Sequence, residues 1–485
     1  MITPRTKTVR GDPIRAGQRW WNQQAISASA FRRISAFMAS ARRVSWLVIL
    51  LLFLLSSSQS GFSYSLLTHE QLIDLAWKDS IVPMLLSRYP NATPAELERA
   101  RAYAYGGSMI QDAGYYPFGH MFFSNLTHYV RTGDFVASLI RNARNLNELA
   151  FAIGALSHYV GDCIGHHDAV NPSTAIEFPS LEEEYGPVVT YDESPHGHVR
   201  TEFAFDIDQL SKRRLAPSAY LSHVGLEVSP RLLEVAFFET YGLHLRSLEI
   251  DRRATVATYR WSARRFLPSI ARAEMLLHRK DFPADVPGPE FDLYAKRVSE
   301  ADASNGWERY RKGKFSLQTR LLAFVIVIIP KVGIISDLSI RGPQQQTEER
   351  YVESVNRSLE RYEQVLGYLT NNRKAEPGIT MKLENRDMDT GAKVRPGSYR
   401  LTDQTYAQLL QKVTALGAPV PVTLQHDILN YYSNPEAPIT TKKNEAQWKR
   451  VQAELTALKT MPVIHREFDP EDPALTANGS ANGSR

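Results

Sequence analysis

The stretch Leu156–His166 reads LSHYVGDCIGH, and the rest of the chain is best read outward from it. His158, Asp162 and His166 stand at i, i+4 and i+8, while Leu149, Ile153, Leu156 and Val160 recur at helical intervals around them. Four-residue steps along an α-helix drift by only about 40°. The three polar groups therefore share one stripe of an otherwise apolar helix. Two imidazoles and a carboxylate on one stripe suit a divalent metal of the zinc type, which takes nitrogen and oxygen ligands. A core histidine satisfied by a nearby aspartate would leave the same triplet, so by itself it keeps both readings open.

The neighbouring sequence repeats the helical pattern. An amphipathic segment spans about His69 to Ser87, interrupted by Pro83. Pro90–Pro94 is a turn, and Thr93 is a suitable N-cap for a helix opening at Pro94 and running to Asp112. Phe122–Val130, Phe135–Ile140 and Asn145–His166 read as helices, and Asn171–Pro195, with few periodic apolar positions and several prolines, reads as a long loop. The helical pattern resumes near His198 and continues with breaks to Lys280, and almost nothing alternates with period two, so the fold class is all-α. The Pro/Gly-rich stretch Asp281–Pro289 is the expected boundary of a separate, mostly helical C-terminal region reaching residue 468. In that region Leu321–Ile335 is strongly apolar but broken by Pro330 and Lys331, which reads as a buried helix rather than a span. Thr347–Thr370 and Thr402–Leu416 read as helices. Asp387–Gly391 (DMDTG) resembles a fragment of a calcium loop but lacks the other ligands and the closing Glu, so it reads as a tight turn. Residues 469–485, rich in Gly, Asn, Ser and Ala, are expected to be disordered.

The formal net charge of +5 is misleading, because the first 43 residues carry nine Arg or Lys against one Asp. The remainder is slightly acidic, which removes the pI as an argument for nucleic-acid binding. Trp46–Leu55 (WLVILLLFLL) is an apolar run too short to span a bilayer comfortably. It follows Arg42 and Arg43 and precedes Ser56–Ser60 and the small-x-small site Gly61-Phe62-Ser63, the pattern of a secretory signal peptide cleaved after Ser63. Starting at Met38 would give a signal of about 26 residues, within the usual range. Residues 1–63 are therefore expected to be an extension and signal, with export to the periplasm or exterior; a retained signal anchor is the alternative. Cys163 is the only cysteine, so no intramolecular disulfide can form.

The 13 histidines are unevenly spread: seven lie between His120 and His198, and His69 lies just after the expected mature N-terminus at Tyr64. His198 and Glu202 repeat the i, i+4 pairing of His158 and Asp162, and Asp112 and His128 lie on neighbouring helices. Several such pairs in one helical domain favour a multi-metal site over isolated core histidines.

Tyr64-x-x-x-x-His69, Asp112, Phe123-Ser-x-x-Thr-His128-Tyr, Ser157-His-Tyr-Val-Gly-Asp162, His166 and His198-x-x-x-Glu202 together resemble the zinc-dependent phospholipase C family, over about Tyr64 to Lys280. That family shares its fold with single-strand nucleases of the S1/P1 type. The resemblance implies a multi-helix bundle with up to three zinc ions per chain at the base of a cleft. One zinc would be held by Asp112, His128, His158 and Asp162, and a second by His166, His198 and Glu202. A third would take His69, Asp162 as a bridge, and the α-amine and carbonyl oxygen of Tyr64, where the family has tryptophan. His167 competes with His166 for its role, and His166 is preferred because it stays on the helical stripe. His120 and His196 are expected to be structural or substrate-side residues.

The resemblance further implies a phosphodiester hydrolase in which a zinc-bound water attacks phosphorus and Asp112 orients that water as general base. Tyr115, Tyr116, Phe118 and Phe122 are candidates for an apolar cleft wall, with at least half expected to be ordinary core. A phospholipid cleaved to diacylglycerol and a phosphorylated head group is the favoured substrate, with contact to a membrane surface. Nucleic acid is the substrate only under the nuclease alternative, and a non-catalytic zinc-binding protein of the envelope is the third reading.

Overall fold

In the computed structural model the described residues are 66–116, 119–248, 287–311, 342–371 and 383–465, with a few more between 257 and 285. The expected signal segment, Tyr64, Phe118, the apolar run Leu321–Ile335 and the tail from 469 lie outside them.

The all-α expectation holds. The chain begins with α1 (Leu66–Ala76), a π turn at Trp77–Ile81 and α2 (Val82–Arg88), which takes Pro83 into its first turn. α3 (Pro94–Gly107) starts as the sequence requires: the Thr93 hydroxyl accepts from the Glu96 amide at 3.3 Å, and Glu96 returns the bond to the Thr93 amide at 2.8 Å. This capping box satisfies the first orphan donors of the helix. A 3₁₀ turn (Gln111–Gly114), α4 (Met121–Tyr129), α5 (Thr132–Asn142) and α6 (Leu146–Gly165) follow. Asp112, expected at a helix end, sits on that 3₁₀ turn.

α6 is the axis of the molecule. Its residues from Glu148 to Asp162 are all buried, the behaviour of a helix apolar on every face. Each of Phe151, Ile153 and Leu156, fully buried, contributes about 1.5–3 kcal/mol of apolar transfer. α3 crosses α6 so closely that a Cβ on Gly154 would stand 2.1 Å from the Ala104 carbonyl oxygen. Any side chain there would force the two helices apart.

The segment expected to be a long loop from Asn171 to Pro195 is instead largely helical, with α7 (Asn171–Glu177) and α8 (Pro179–Tyr185). Pro172 and Pro179 occupy first-turn positions, where the missing N–H costs nothing; prolines that punctuate the sequence here open helices. α9 (Pro195–Ser211), α10 (Ser218–Val224) and α11 (Pro230–Tyr241) complete the first part.

Beyond the expected boundary, α12 (Pro289–Asn305), α13 (Gln345–Asn371), α14 (Arg400–Leu416), α15 (Val422–Tyr431) and α16 (Glu445–Thr460) share one hydrophobic core with the helices before it. The Tyr351 hydroxyl on α13 donates to Gln71 on α1 at 3.0 Å, and Tyr362 donates to the Ile153 carbonyl of α6 at 3.0 Å. Among the described residues the only sheet is a parallel pair of two-residue strands, β1 (Val420–Pro421) and β2 (Val463–Ile464). No described helix is long and apolar enough to cross a membrane.

Candidate metal centre

The site is built where the ends of α1, α3, α4, α6 and α9 meet. On α6, His158 and Asp162 face inward on one stripe, as their spacing dictates. The helix then widens into a π turn, His166–Val170. Such widening is common at functional sites. His166 remains buried against the stripe, whereas His167 is 69% exposed and pairs with Asp168 at 2.6 Å, outside the cluster.

Two imidazoles are fixed in tautomer by the backbone. His128 Nδ1 lies 2.7 Å from the Ser124 carbonyl, and His158 Nδ1 lies 2.9 Å from the Ser108 carbonyl. A carbonyl can only accept, so both Nδ1 atoms carry protons and both Nε2 atoms are left as the free edge. Those Nε2 atoms stand 3.3 Å apart between two buried carboxylates. His128 Nε2 is 3.2 Å from Asp112 Oδ1 and 3.4 Å from Asp162 Oδ2, and His158 Nε2 is 3.1 Å from Asp162 Oδ2 and 3.9 Å from Asp112 Oδ1. A tetrahedral ion with arms of 2.0–2.1 Å separates its ligands by about 3.3–3.4 Å. Four of these separations lie near that spacing, and only His158 to Asp112, at 3.9 Å, is wider.

His69 adds a third imidazole. Its Nε2 is 3.2 Å from the other oxygen of Asp162, and its ring stacks on His158 with centroids 4.2 Å apart. The position of His69 is set by α9: Asp206, one turn beyond Glu202, accepts from the Leu67 and Thr68 amides at 2.9 and 3.1 Å and so caps the start of α1.

The second half of the site pairs His166 and His198 with Glu202, whose Oε1 is 3.2 Å from His166 Nε2 and 3.1 Å from His198 Nε2. Their opposite edges face a residue the sequence reading passed over. Asp389 Oδ1 lies 3.9 Å from His166 Nδ1 and 4.0 Å from His198 Nδ1. The turn expected at Asp387–Gly391 does form, with Asp387 Oδ1 accepting from the Thr390 amide at 2.7 Å, but it also delivers Asp389 into the site. Three groups of side chains could thus hold a metal ion: His69, His158 and Asp162; Asp112, His128 and His158; and His166, His198 and Asp389.

The electrostatics ask for a cation. Both oxygens of Asp162, both oxygens of Glu202 and both ring nitrogens of His198 are buried without a well-formed hydrogen bond. Burial pushes the Glu202 carboxyl well above the carboxylate range, and nearby Asp162 adds to that. Burial would lower His128, but the Asp112 and Asp162 carboxylates overcome it and raise the imidazole to about 10. Without an ion, a proton on His128 takes the place of a cation between the two aspartates. Burial, followed by the neighbouring His166, drives His198 well down, so it offers a neutral lone pair. Neutral imidazoles and anionic carboxylates are the forms that bind zinc.

Of the aromatic residues expected near the cleft, Tyr115 borders the site beside His128, while Tyr116 and Phe122 belong to the hydrophobic core. His120 is half-buried with its ring edge-on to Phe122, and His196 is exposed; neither joins the cluster.

Comparison with the curated proteins and with the solved structures yields no match. The family model described as zinc dependent phospholipase C matches residues 68–250, which contain His69, Asp112, His128, His158, Asp162, His166, His198 and Glu202, and exclude Asp389. With its all-helical architecture and buried His/Asp cluster, the region from residue 68 to residue 250 of this chain is similar to the zinc-dependent phospholipase C family.

Proposed function

We propose that the protein is an exported zinc-dependent phosphodiesterase that hydrolyses phospholipid between glycerol and phosphate, releasing diacylglycerol and a phosphorylated head group. The observation that carries this reading is the pair of backbone-fixed Nε2 atoms of His128 and His158, 3.3 Å apart between the Asp112 and Asp162 carboxylates. In this reading Asp112, His128, His158 and Asp162 hold one zinc and His166, His198 and Glu202 a second. His69 and Asp162 contribute to a third, completed by Tyr64, which lies outside the described residues. Zinc bound there supplies Lewis acidity and a water acidic enough to ionise near neutral pH. Asp112, at the edge of the cluster on a turn rather than in a helix, orients that water and accepts its proton. The imidazoles, pinned through Nδ1 or packed ring on ring, keep the donor set preorganised, and burial strengthens every charge interaction within it.

The test pairs zinc content with two substrates. Chain processed by its own signal, holding zinc, should release diacylglycerol from phosphatidylcholine vesicles faster than it cuts single-stranded DNA, and chelation should abolish both. Faster DNA cleavage would replace lipid by nucleic acid as substrate. Bound zinc with neither activity would support the non-catalytic reading.

A further inference from the structure

We infer that Asp389 is a positioning residue for the second zinc: its carboxylate takes up the Nδ1 protons of His166 and His198, so that both imidazoles turn their Nε2 lone pairs toward Glu202. This rests on the zinc reading above and adds to it a residue from the C-terminal region.

The two halves of the site fix their imidazoles by different means. In the first half backbone carbonyls receive the Nδ1 protons, Ser124 from His128 at 2.7 Å and Ser108 from His158 at 2.9 Å. Among the described residues no carbonyl does this for His198, whose fully buried Nδ1 makes no well-formed hydrogen bond within the protein. The rings of His166 and His198 stand nearly perpendicular, at 84° with centroids 4.9 Å apart. Their Nε2 atoms converge on Glu202 Oε1 at 3.2 and 3.1 Å, and their Nδ1 atoms converge on Asp389 Oδ1 at 3.9 and 4.0 Å. Each imidazole thus lies between two carboxylates.

Spacing decides which carboxylate shares the ion. Ligands on a tetrahedral zinc stand about 3.3–3.4 Å apart, which the Glu202 edge matches and the Asp389 edge exceeds. With the ion on the Nε2 edge, a neutral ring carries its proton on Nδ1. A metal-bound histidine gives that proton to a carboxylate, a carbonyl or a water. Asp389 is the acceptor that faces His198, and His166 shares the same oxygen. The gap is too long for a direct hydrogen bond. His166, His198 and Asp389 line, with Tyr115, Tyr129 and Tyr191, a cavity of about 10 Å³. That is room for about one water molecule. A water there accepts from both Nδ1–H groups and donates to Asp389 Oδ1, which gives it about three hydrogen bonds, the usual number for a buried water.

The carboxylate is itself held in place. Asp389 is 2% exposed, the Tyr399 hydroxyl donates to Oδ2, and the Tyr191 amide donates to Oδ1 at 3.4 Å. The Asn171 side chain donates to the Asp389 carbonyl at 2.7 Å, and the Met388 amide donates to the His128 carbonyl at 3.0 Å. Among the described residues no lysine or arginine pairs with Asp389, and its ion-pair partners are the two imidazoles. A buried carboxylate without a cation is costly, and an ion whose charge reaches it through the two rings offsets that cost.

The experiment uses the full chain processed by its own signal, zinc-bound and with isotope-labelled histidine. Nitrogen NMR of the rings reads which nitrogen carries the proton and which the metal, with His166 and His198 assigned by replacing each in turn. Both should be protonated on Nδ1 and metal-bound through Nε2. Asp389→Ala should shift their Nδ1 proton resonances and leave those of His128 and His158 in place. Competition with a chromophoric chelator should show one zinc held about 10–100-fold more weakly in Asp389→Ala. The loss should be smaller in Asp389→Asn, which keeps the size of the side chain but not its charge. Metal bound through Nδ1 of either ring would overturn the inference, because Asp389 would then face the ion as a ligand. That reading needs only the unaltered chain, so it holds even where a variant fails to fold. An Asp389→Asn protein that binds every ion as tightly as the unaltered chain would overturn it as well, because the side chain would then only fill space. If protons and affinities come out as stated and phosphatidylcholine vesicles release no diacylglycerol, the role of Asp389 stands and the lipase reading falls. A chain that binds no zinc removes both.

Discussion

Two buried polar clusters lie near α3, one against its second half and one beyond its C-terminal end, and they solve the same problem differently. Within the helix, Arg101 places its guanidinium 2.6 Å from Asp74, donates to Asn305 at 2.8 Å and lies 4.9 Å over the Trp77 ring. Tyr105 donates to the same aspartate. That cluster carries its own cation, and its charges balance inside the chain. Beyond the C-terminal end, Asp112, Asp162 and Glu202 face imidazoles only, with several oxygens and nitrogens left without well-formed hydrogen bonds. A buried anion with no permanent cation is costly. The comparison teaches that the second cluster lacks the internal cation that balances the first, so an ion bound there would add to folding as well as to chemistry.

Three changes would break or sharpen this contrast. The largest effect is expected from Asp162→Asn, because one carboxylate reaches toward His69 on one side and His128 and His158 on the other. It should cost the chain two metal ions where Glu202→Gln costs one, read by atomic emission against protein concentration; equal loss would contradict a shared carboxylate. Next comes Asp74→Ala, which strands the Arg101 guanidinium in the interior. It should destabilise by about 3–5 kcal/mol in denaturant unfolding and leave zinc content unchanged; a parallel loss of zinc would show that the two clusters are coupled through α3. The smallest effect is expected at the start of α6, where the buried Glu148 receives a bidentate hydrogen bond from the partly exposed Arg231, at 2.8 and 2.5 Å. Burial raises the Glu148 carboxyl, but Arg231 and the Arg144 amide outweigh it and hold the pKa below the usual glutamate value. A depressed folded-state value means stability that is present above the unfolded pKa and lost as pH falls through the folded one. Glu148→Gln should therefore lower stability by about 1 kcal/mol or less near pH 7 and make little difference below about pH 4. A penalty that persisted in acid would assign the effect to packing instead.

The gathering of the candidate site was largely legible in the sequence, because helical periodicity does most of its assembly. The i, i+4 spacing of His158 with Asp162 and of His198 with Glu202 places each pair on one face whatever the rest of the chain does. Thr93 and Glu96 likewise announce the start of α3 locally. Prolines misled at Asn171–Pro195, since a proline reads the same whether it breaks a helix or opens one. The boundary expected near residue 280 marks a change of composition, yet Tyr351 and Tyr362 carry polar contacts of α13 into α1 and α6.

What the amino-acid order determined by itself was the helical class and the faces on which the imidazoles and carboxylates fall, because these follow from a repeat of 3.6 residues per turn. Only the tertiary structure decided that Asp389 faces His166 and His198. It lies 187 residues beyond Glu202 in a five-residue turn with no periodic partner, so no local spacing could announce it. Its place depends on the path of the chain over α5, α6 and α7, where the Thr132, Tyr159 and Asn171 side chains and the near approach of Gly391 hold that turn against the histidines.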